Sequence, residues 1–355
     1  DDGPMPQTRE HLRVLDLLGV SRGVVALTKI DRVPPVRVEQ ATAEIRRLLA
    51  DSPLRDAPVC TVAAPTGTGL DALRAQLAAL GRALPGRTRS GAFRLCVDRA
   101  FSLTGAGTVV TGVVVAGSAR TSDAVIVSPQ GIETRIRSIR AHDQPADVAT
   151  AGQRCALNLA GVDLRDAGIG RGDWIVAPRA HAPTSRIDVA LTVLSDEPRA
   201  LADGAQLQVH LGAACVGARI ALLGQRSIAP GGEGLAQLLL HQPIGALHGD
   251  RLILRDASAH RTMGGGHVLD PFGPARGRGR PERLRALDAL HSDTAAHALT
   301  RLLDLTPEGI DLERFEIAWN MDDADSAALR ADVAPRLVAD GPRTLAMSGA
   351  HWDGL

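Results

Sequence analysis

The chain has 355 residues, 45% of them hydrophobic, with 40 Lys+Arg balanced by 40 Asp+Glu. That length and apolar content give a folded chain of two to four domains. Zero net charge excludes nucleic-acid binding through bulk charge. An aromatic content of 2% with no Tyr excludes a stacking platform for bases, and no run of residues approaches the ~18 apolar positions a membrane span needs.

Residues 1–84 alternate helix and strand. Thr8, Glu10 and His11 predict the start of a helix, with Thr8 as its cap, Leu12, Leu15 and Leu18 on one face, and Gly19 at its end. A buried strand is predicted over 23–27 and an amphipathic helix over 36–50, carrying Val38, Ala41, Ile45, Leu48 and Leu49. A second strand over 59–63, a turn at Gly67 and Gly69, and a helix over 70–80 complete the segment. This rhythm implies a parallel sheet, with too few strands for a full doubly wound domain.

A polar linker over 85–91 changes the pattern to short strands with regular turn signals, among them Pro129-Gln130-Gly131, Gly170-Arg171-Gly172 and Pro230-Gly231-Gly232. Such spacing predicts β-barrels, one over 92–180 and one over 184–270, divided at 178–184. Within the first, 93–112 predicts a hairpin turning at Gly105-Ala106-Gly107, with a bulge marked by Gly112. Residues 271–281 form a second linker, and 282–305 predicts one helix through Leu284, Leu287 and Leu290. Cys60, Cys96, Cys155 and Cys215 each fall in an apolar strand-like run, which predicts buried, reduced thiols without metal or disulfide spacing. His260 and His267 lack a second ligand pair, and Gly264 to Gly266 lack a following Lys, so a tight turn is expected there.

Of the 40 Lys+Arg, Lys29 is the single Lys. A compact ammonium on a straight stem is not interchangeable with a guanidinium, so Lys29 marks a chemical requirement. The same count means that no G-x-x-x-x-G-K-[ST] phosphate loop occurs in the chain. Two further features carry chemistry. Asp98-Arg99 lies just before the hairpin turn; in isolation it is an ordinary solvated strand end, worth about 0–1 kcal/mol as an ion pair. Arg154 stands in an otherwise apolar strand with Cys155, Leu157 and Leu159, where an unpaired guanidinium would be costly. Arg276, Arg278, Arg280, Arg283 and Arg285 form a cationic cluster that otherwise reads as a solvated hinge.

Together these segments resemble the elongation factor Tu-like translational GTPases, and among them the selenocysteine-specific elongation factors. Thr28-Lys29-Ile30-Asp31 resembles the guanine-reading loop, with Thr28 in place of the usual Asn. There Asp31 would accept from guanine N1–H and the exocyclic amine, a pattern adenine lacks, and the Lys29 stem would lie along the base. Val62-Ala63-Ala64-Pro65-Thr66-Gly67-Thr68-Gly69-Leu70 resembles the final guanine loop, with Ala63 replacing a Ser and the Ala64 N–H offered to guanine O6. Met5-Pro6-Gln7-Thr8-Arg9-Glu10-His11, His210-Leu211-Gly212, Val216-Gly217-Ala218-Arg219, Gly249 to Asp256 and Thr262 to Asp270 are also similar to family segments. Asp98-Arg99-Ala100-Phe101 and Gly152-Gln153-Arg154 resemble segments specific to the selenocysteine factor, where the matching Asp and two Arg surround the aminoacyl side chain. A selenol is an anion at neutral pH while a thiol of pKa about 8.5 is mostly neutral, so two guanidinium groups would favour selenolate.

The resemblance implies a multidomain α/β plus β chain. Residues 1–84 would be the back half of a P-loop-type GTPase domain, without phosphate loop or switches. Residues 92–180 and 184–270 would be two β-barrels, and 282–355 the incomplete start of a winged-helix extension. It implies GTP-dependent delivery of selenocysteinyl-tRNA to the ribosome at recoded UGA codons, with GTP and Mg²⁺ as cofactors and no catalytic or metal ligand in this chain. An mRNA hairpin bound through the extension, a monomeric state and a cytosolic location are further expectations. A general tRNA-delivery GTPase and a non-catalytic tRNA-binding barrel module are the alternatives. Asp98-Arg99, Arg154 and the extension argue against the first, while the absent phosphate loop supports the second.

Overall fold

A computed structural model of the chain describes residues 3–84, 90–105 and 107–353. It divides into two compact units, residues 1–86 and 87–355. Most of the first linker and Ala106 of the hairpin turn lie outside the described residues.

In the first unit, Val25–Thr28 and Val59–Val62 pair in parallel, Thr28 opposite Val62, as the alternation predicts. Helices Pro6–Leu17, Pro35–Leu49 and Leu70–Ala83 accompany them. The first helix starts on Pro6 with Met5 as N-cap and no side-chain cap, so Thr8 lies inside the helix and does not cap it. Proline at the first helical position supplies the fixed φ that a start needs. No residue of that helix is buried.

In the second unit, the first barrel orders its strands as Arg154–Leu159, Gly107–Ala116, Arg94–Leu103, Trp174–Val176, Ala124–Ser128 and Ile132–Ala141; the last pairs back with the first and closes the ring. Leu95, Val97, Val110, Leu157 and Ile175 fill its interior. The second barrel closes six strands: Pro183–Val193, Glu233–Gly245, Ala214–Leu223, Gln206–Leu211, Arg251–Asp256 and Thr262–Asp270. The expected turn at Gly264 to Gly266 is instead strand interior. A Cβ on Gly266 would lie 1.9 Å from the Ala190 carbonyl oxygen, so glycine there lets two strands approach closely.

The barrels share one apolar core, in which Ala92, Trp174, Val176 and Ala180 of the first pack with the second. Arg94, buried beneath Trp174 at 4.3 Å, donates two hydrogen bonds to Asp250 at 2.9 and 2.6 Å. Arg94 is thereby satisfied as a buried charge must be.

The predicted helix over 282–305 is two helices, Pro281–Leu290 and Ala295–Leu305, because Thr294 accepts from the His297 N–H and restarts the helix as a cap. Helices Leu312–Ala318 and Asp323–Val333 follow, and Ile310–Asp311, Arg343–Met347 and Arg336–Asp340 form a three-stranded antiparallel sheet. This module closes its own core around Leu299, Leu312, Phe315 and Ala346, which also takes in Leu223 and Leu269 of the second barrel.

The arginine cluster divides: Arg276, Arg280 and Arg285 are exposed, as a solvated hinge would have them, while Arg278 and Arg283 turn inward. Arg283 is buried against Asp188 and Asp270, with Gln237 donating to Asp188 at 2.8 Å and Arg278 reaching Gln237 at 3.5 Å. At the start of the first barrel, Asp325 accepts from the Gly91 N–H at 2.9 Å and Asn320 donates to the Ala92 carbonyl at 3.1 Å. Arg179 pairs with Asp323 and donates to Ser326 at 3.2 Å. The module is thus held against both barrels. All four cysteines are free, but only Cys60 and Cys155 are buried. Cys96 is half-buried and Cys215 is exposed beside His210, because position 215 points outward in its strand.

Candidate functional site

Two sites were expected, and they fall in different units. In the first unit, the parallel register places the loops after Thr28 and Val62 side by side at the carboxyl ends of two adjacent strands, where open α/β sheets bind ligands. Lys29 adopts a left-handed conformation, φ 61°, and starts the short 3₁₀ turn Ile30–Arg32 that carries Asp31. Thr28, Lys29 and Asp31 are all exposed. The Asp31 carboxylate makes no hydrogen bond or ion pair to another described residue, which leaves it open to a donor pair.

In the second loop, the Ala63 N–H donates to the Thr68 carbonyl at 2.9 Å, so it is committed within the loop. Thr66 donates to the Ala63 carbonyl at 3.3 Å and bonds Thr68 at 2.8 Å, which tightens the turn that a Ser at 63 would otherwise tie. Ala64 is exposed, and its N–H has no backbone acceptor among the described residues. A Cβ on Gly69, φ 76°, would lie 2.0 Å from the Thr61 carbonyl oxygen, so this loop requires glycine there. The unbonded Asp31 carboxylate on one loop and the Ala64 N–H on its neighbour are an acceptor and a donor on adjacent loops.

In the second unit, the register shifts between Val97 and Arg99 opposite Gly112 and Thr111. The extra residue is Asp98, so the bulge lies on the strand facing Gly112. A bulge re-aims its side chains, and here Asp98 and Arg99 both leave the core. Asp98 accepts from the Thr111 hydroxyl at 2.8 Å and is gripped by both guanidinium nitrogens of Arg154, one of them at 3.1 Å. Burial pushes the Asp98 carboxyl up. The hydrogen bonds from Arg154 and Thr111, with the charges of Arg154 and Arg99, outweigh it and hold the group below the ordinary carboxylate range.

Arg154 was expected in a costly apolar setting. The alternation of its strand corrects this: Cys155, Leu157 and Leu159 face the core, while Arg154 points outward with its side chain 53% exposed. Its partner is Asp98, and its position is fixed by that bidentate pair. Arg99 is exposed and makes no hydrogen bond or ion pair to another described residue. The structure therefore brings Asp98, Arg99 and Arg154 together on one outer wall, with Val113 and Phe101 exposed beside them. Thr111 was missed, since a β-branched strand residue carries no sign in the sequence of which side chain it will bond.

Comparison with known proteins gives these two sites a context. Residues 1–84 match the family described as elongation factor Tu GTP binding domain, residues 107–176 match elongation factor Tu domain 2, and residues 186–275 match selenocysteine-specific elongation factor, beta-barrel domain. The chain is 35% identical over 309 residues to a selenocysteine-specific elongation factor of Desulfomicrobium baculatum, covering 87% of this chain and 48% of that protein. It is 38% identical over 292 residues to the one of Escherichia coli K12, covering 82% and 45% respectively. A crystal structure of the bacterial selenocysteine-specific elongation factor EF-Sec superposes with a TM-score of 0.78 at 25% identity, over 97% of this chain and 55% of that one. The apo translation elongation factor SelB of Methanococcus maripaludis shares the fold, with a TM-score of 0.68 at 24% identity, over 77% of this chain and 62% of that one.

A GTP-binding-domain segment followed by two closed barrels defines a translation elongation factor of the elongation factor Tu type. Within that class, the chain belongs to the selenocysteine-specific elongation factors. It spans about half the length of the curated relatives it matches.

Proposed function

We propose that this chain serves the GTP-dependent delivery of selenocysteinyl-tRNA to the ribosome at recoded UGA codons, in the cytosol. The observation that carries the reading is the Asp98–Arg154 pair with Arg99 beside it on the outer wall of the first barrel. Asp98 holds one guanidinium in place. The held Arg154 guanidinium and the unpaired Arg99 beside it exceed the single Asp98 charge, and this surplus would favour an anionic side chain over a neutral one, because charge-assisted hydrogen bonds are roughly twice as strong as neutral ones. Thr28, Lys29, Asp31 and Ala64 would hold the guanine of GTP, with the buried Ala63 only shaping the loop, and GTP binding would select the conformation that engages tRNA. Mg²⁺ would accompany the phosphates through residues outside this set.

Replacing Arg154 by Ala is expected to weaken selenocysteinyl-tRNA binding by about 1–3 kcal/mol, the range for a hydrogen bond to a charged group, and to leave seryl-tRNA nearly unchanged. Equal losses for both tRNAs would show a structural role and defeat the pocket. The chain itself is expected not to turn over GTP. No phosphate-loop Lys is present to stabilise charge on the transferring phosphoryl group, since Lys29 lies at the guanine loop. Turnover above a no-protein control would contradict this.

The module over 281–353 folds as helix, strand, two helices and a hairpin behind a leading helix, an order that suits a winged helix. Its charge does not suit RNA: residues 281–355 carry seven Arg against fourteen Asp and Glu. The start of the helix Asp323–Val333 is also committed to Arg179 and Gly91. We therefore place contact with an mRNA hairpin elsewhere than on this helix, and read the protein as a monomer.

A further inference from the structure

We infer that Thr111 is a positioning residue for the aminoacyl side-chain site: its hydroxyl ties the Asp98–Arg154 pair to the rigid part of the first barrel, and discrimination between charged tRNAs depends on that tie. The inference rests on the reading of Asp98, Arg99 and Arg154 as that site. Neither member of the pair is fixed by its own strand. Asp98 is the bulged residue, and the ladder passes over it from Val97 opposite Gly112 to Arg99 opposite Thr111. A bulged residue is left unpaired, so its backbone gives the side chain little support. Arg154 is the first residue of the strand Arg154–Leu159, and its long side chain is more than half exposed. Two such side chains hold each other without holding a place in space. An exposed ion pair of this kind gains little by itself, because both side chains lose freedom in forming it.

Thr111 differs in each respect. It lies inside the strand Gly107–Ala116, which is paired on both sides; Thr111 stands opposite Arg99 on one and Ala156 on the other. Its β-branched side chain is stiff at χ1. The hydroxyl donates to Asp98 Oδ1 at 2.8 Å. Arg154 Nη2 reaches the same carboxylate oxygen at 3.1 Å and passes 3.5 Å from the Thr111 oxygen. With its proton given to Asp98, that hydroxyl keeps lone pairs for the guanidinium, so one group on a rigid strand meets both charges. Burial raises the Asp98 carboxyl, and the hydrogen bonds from Arg154 and Thr111 bring it below its ordinary value. A methyl group in place of the hydroxyl would supply neither contact. Arg154 would still find Asp98, but the pair would swing as a unit. A cation that is not held in place separates an anionic from a neutral side chain less well.

The test compares wild type, Thr111→Val and Thr111→Ser by two measurements. One is affinity for a single tRNA body charged with selenocysteine or with serine; the other is titration of the Asp98 carboxyl followed by NMR. Val keeps the β-branched shape and removes the hydroxyl, Ser keeps the hydroxyl, and far-UV circular dichroism checks that both variants fold. In Thr111→Val the preference for the selenocysteinyl form is expected to fall about tenfold, the loss of one hydrogen bond to a charged group, with seryl affinity unchanged. Asp98 should titrate at higher pH in the same variant, and Thr111→Ser should keep both the preference and the titration of wild type. Where wild type shows a preference, an unchanged preference in Thr111→Val overturns the inference. Equal losses for the two tRNAs also overturn it, since Thr111 would then be structural only, and so does an Asp98 titration that does not move. A wild type that binds both charged tRNAs equally refutes the side-chain site itself. An Asp98 shift present in Thr111→Val and absent in Thr111→Ser would in that case still uphold Thr111 as the residue that holds the pair.

Discussion

Replacing Arg283 by Ala is expected to destabilise the barrel unit by about 3–5 kcal/mol, the cost of leaving a buried carboxylate without its partner. Asp188 is fully buried and Asp270 16% exposed, and both accept from the Arg283 guanidinium. Burial already pushes the Asp188 carboxyl up against the pull of Arg283, so without the cation the charged form would lose its main support. The damage falls at a junction: Asp188 and Asp270 belong to the second barrel, while Arg283 opens the helix Pro281–Leu290 of the C-terminal module. Combining Arg283→Ala with Asp188→Asn should recover part of the loss, because a neutral amide is cheaper to bury. Trp174, Trp319 and Trp352 are the three tryptophans of the chain and all lie in the second unit, so tryptophan fluorescence during urea unfolding reports on that unit. An unchanged midpoint in Arg283→Ala would show that the network contributes nothing.

Acid should also weaken the same unit through its buried histidines. His267 packs between the strands of Ala190 and Arg251, with its ring 5.0 Å from that of His291. Burial, with the positive neighbours His291, His248 and Arg251, lowers its pKa from 6.5 to about 4. The folded-state value lies below the unfolded one, so the unfolded chain binds the proton first. The contribution is complete above pH 6.5 and is lost as pH falls toward 4, about 3 kcal/mol at its fullest. His181, His210 and His248 are depressed by burial in the same sense and steepen the loss. The measurement is urea stability at pH 7 and at pH 4.5, in wild type and His267→Gln. The variant should show a smaller difference between the two pH values; an equal difference would remove His267 from the account.

The alternation of apolar residues carried most of the architecture. It marked the parallel strands of the first unit and the change to barrel strands after the linker, because pattern and turn residues are local. What it missed depends on partners distant in sequence. Arg283 looked like one of five hinge arginines, since nothing near it announces Asp188, 95 residues away. Arg154 looked stranded among apolar residues because the strand's two faces were not separated; its partner lies 56 residues back. Gly264 and Gly266 signalled a turn, but the cause was close strand approach, which only the assembled barrel reveals. The residues proposed for the two sites stood out for the opposite reason. A lone Lys and a charged pair at a hairpin end are each locally anomalous, and anomalies of that kind collect at functional sites.

The central claim is that the arginines beside Asp98 on the first barrel select an anionic aminoacyl side chain. The most direct test compares the affinity of the unaltered chain for one and the same tRNA body charged either with selenocysteine or with serine, at neutral pH. The RNA contacts are then identical and only the side-chain charge differs. Tighter binding of the selenocysteinyl form, lost when the pH falls far enough to protonate the selenol, is the predicted result. Equal affinity for the two charged tRNAs at neutral pH would contradict it.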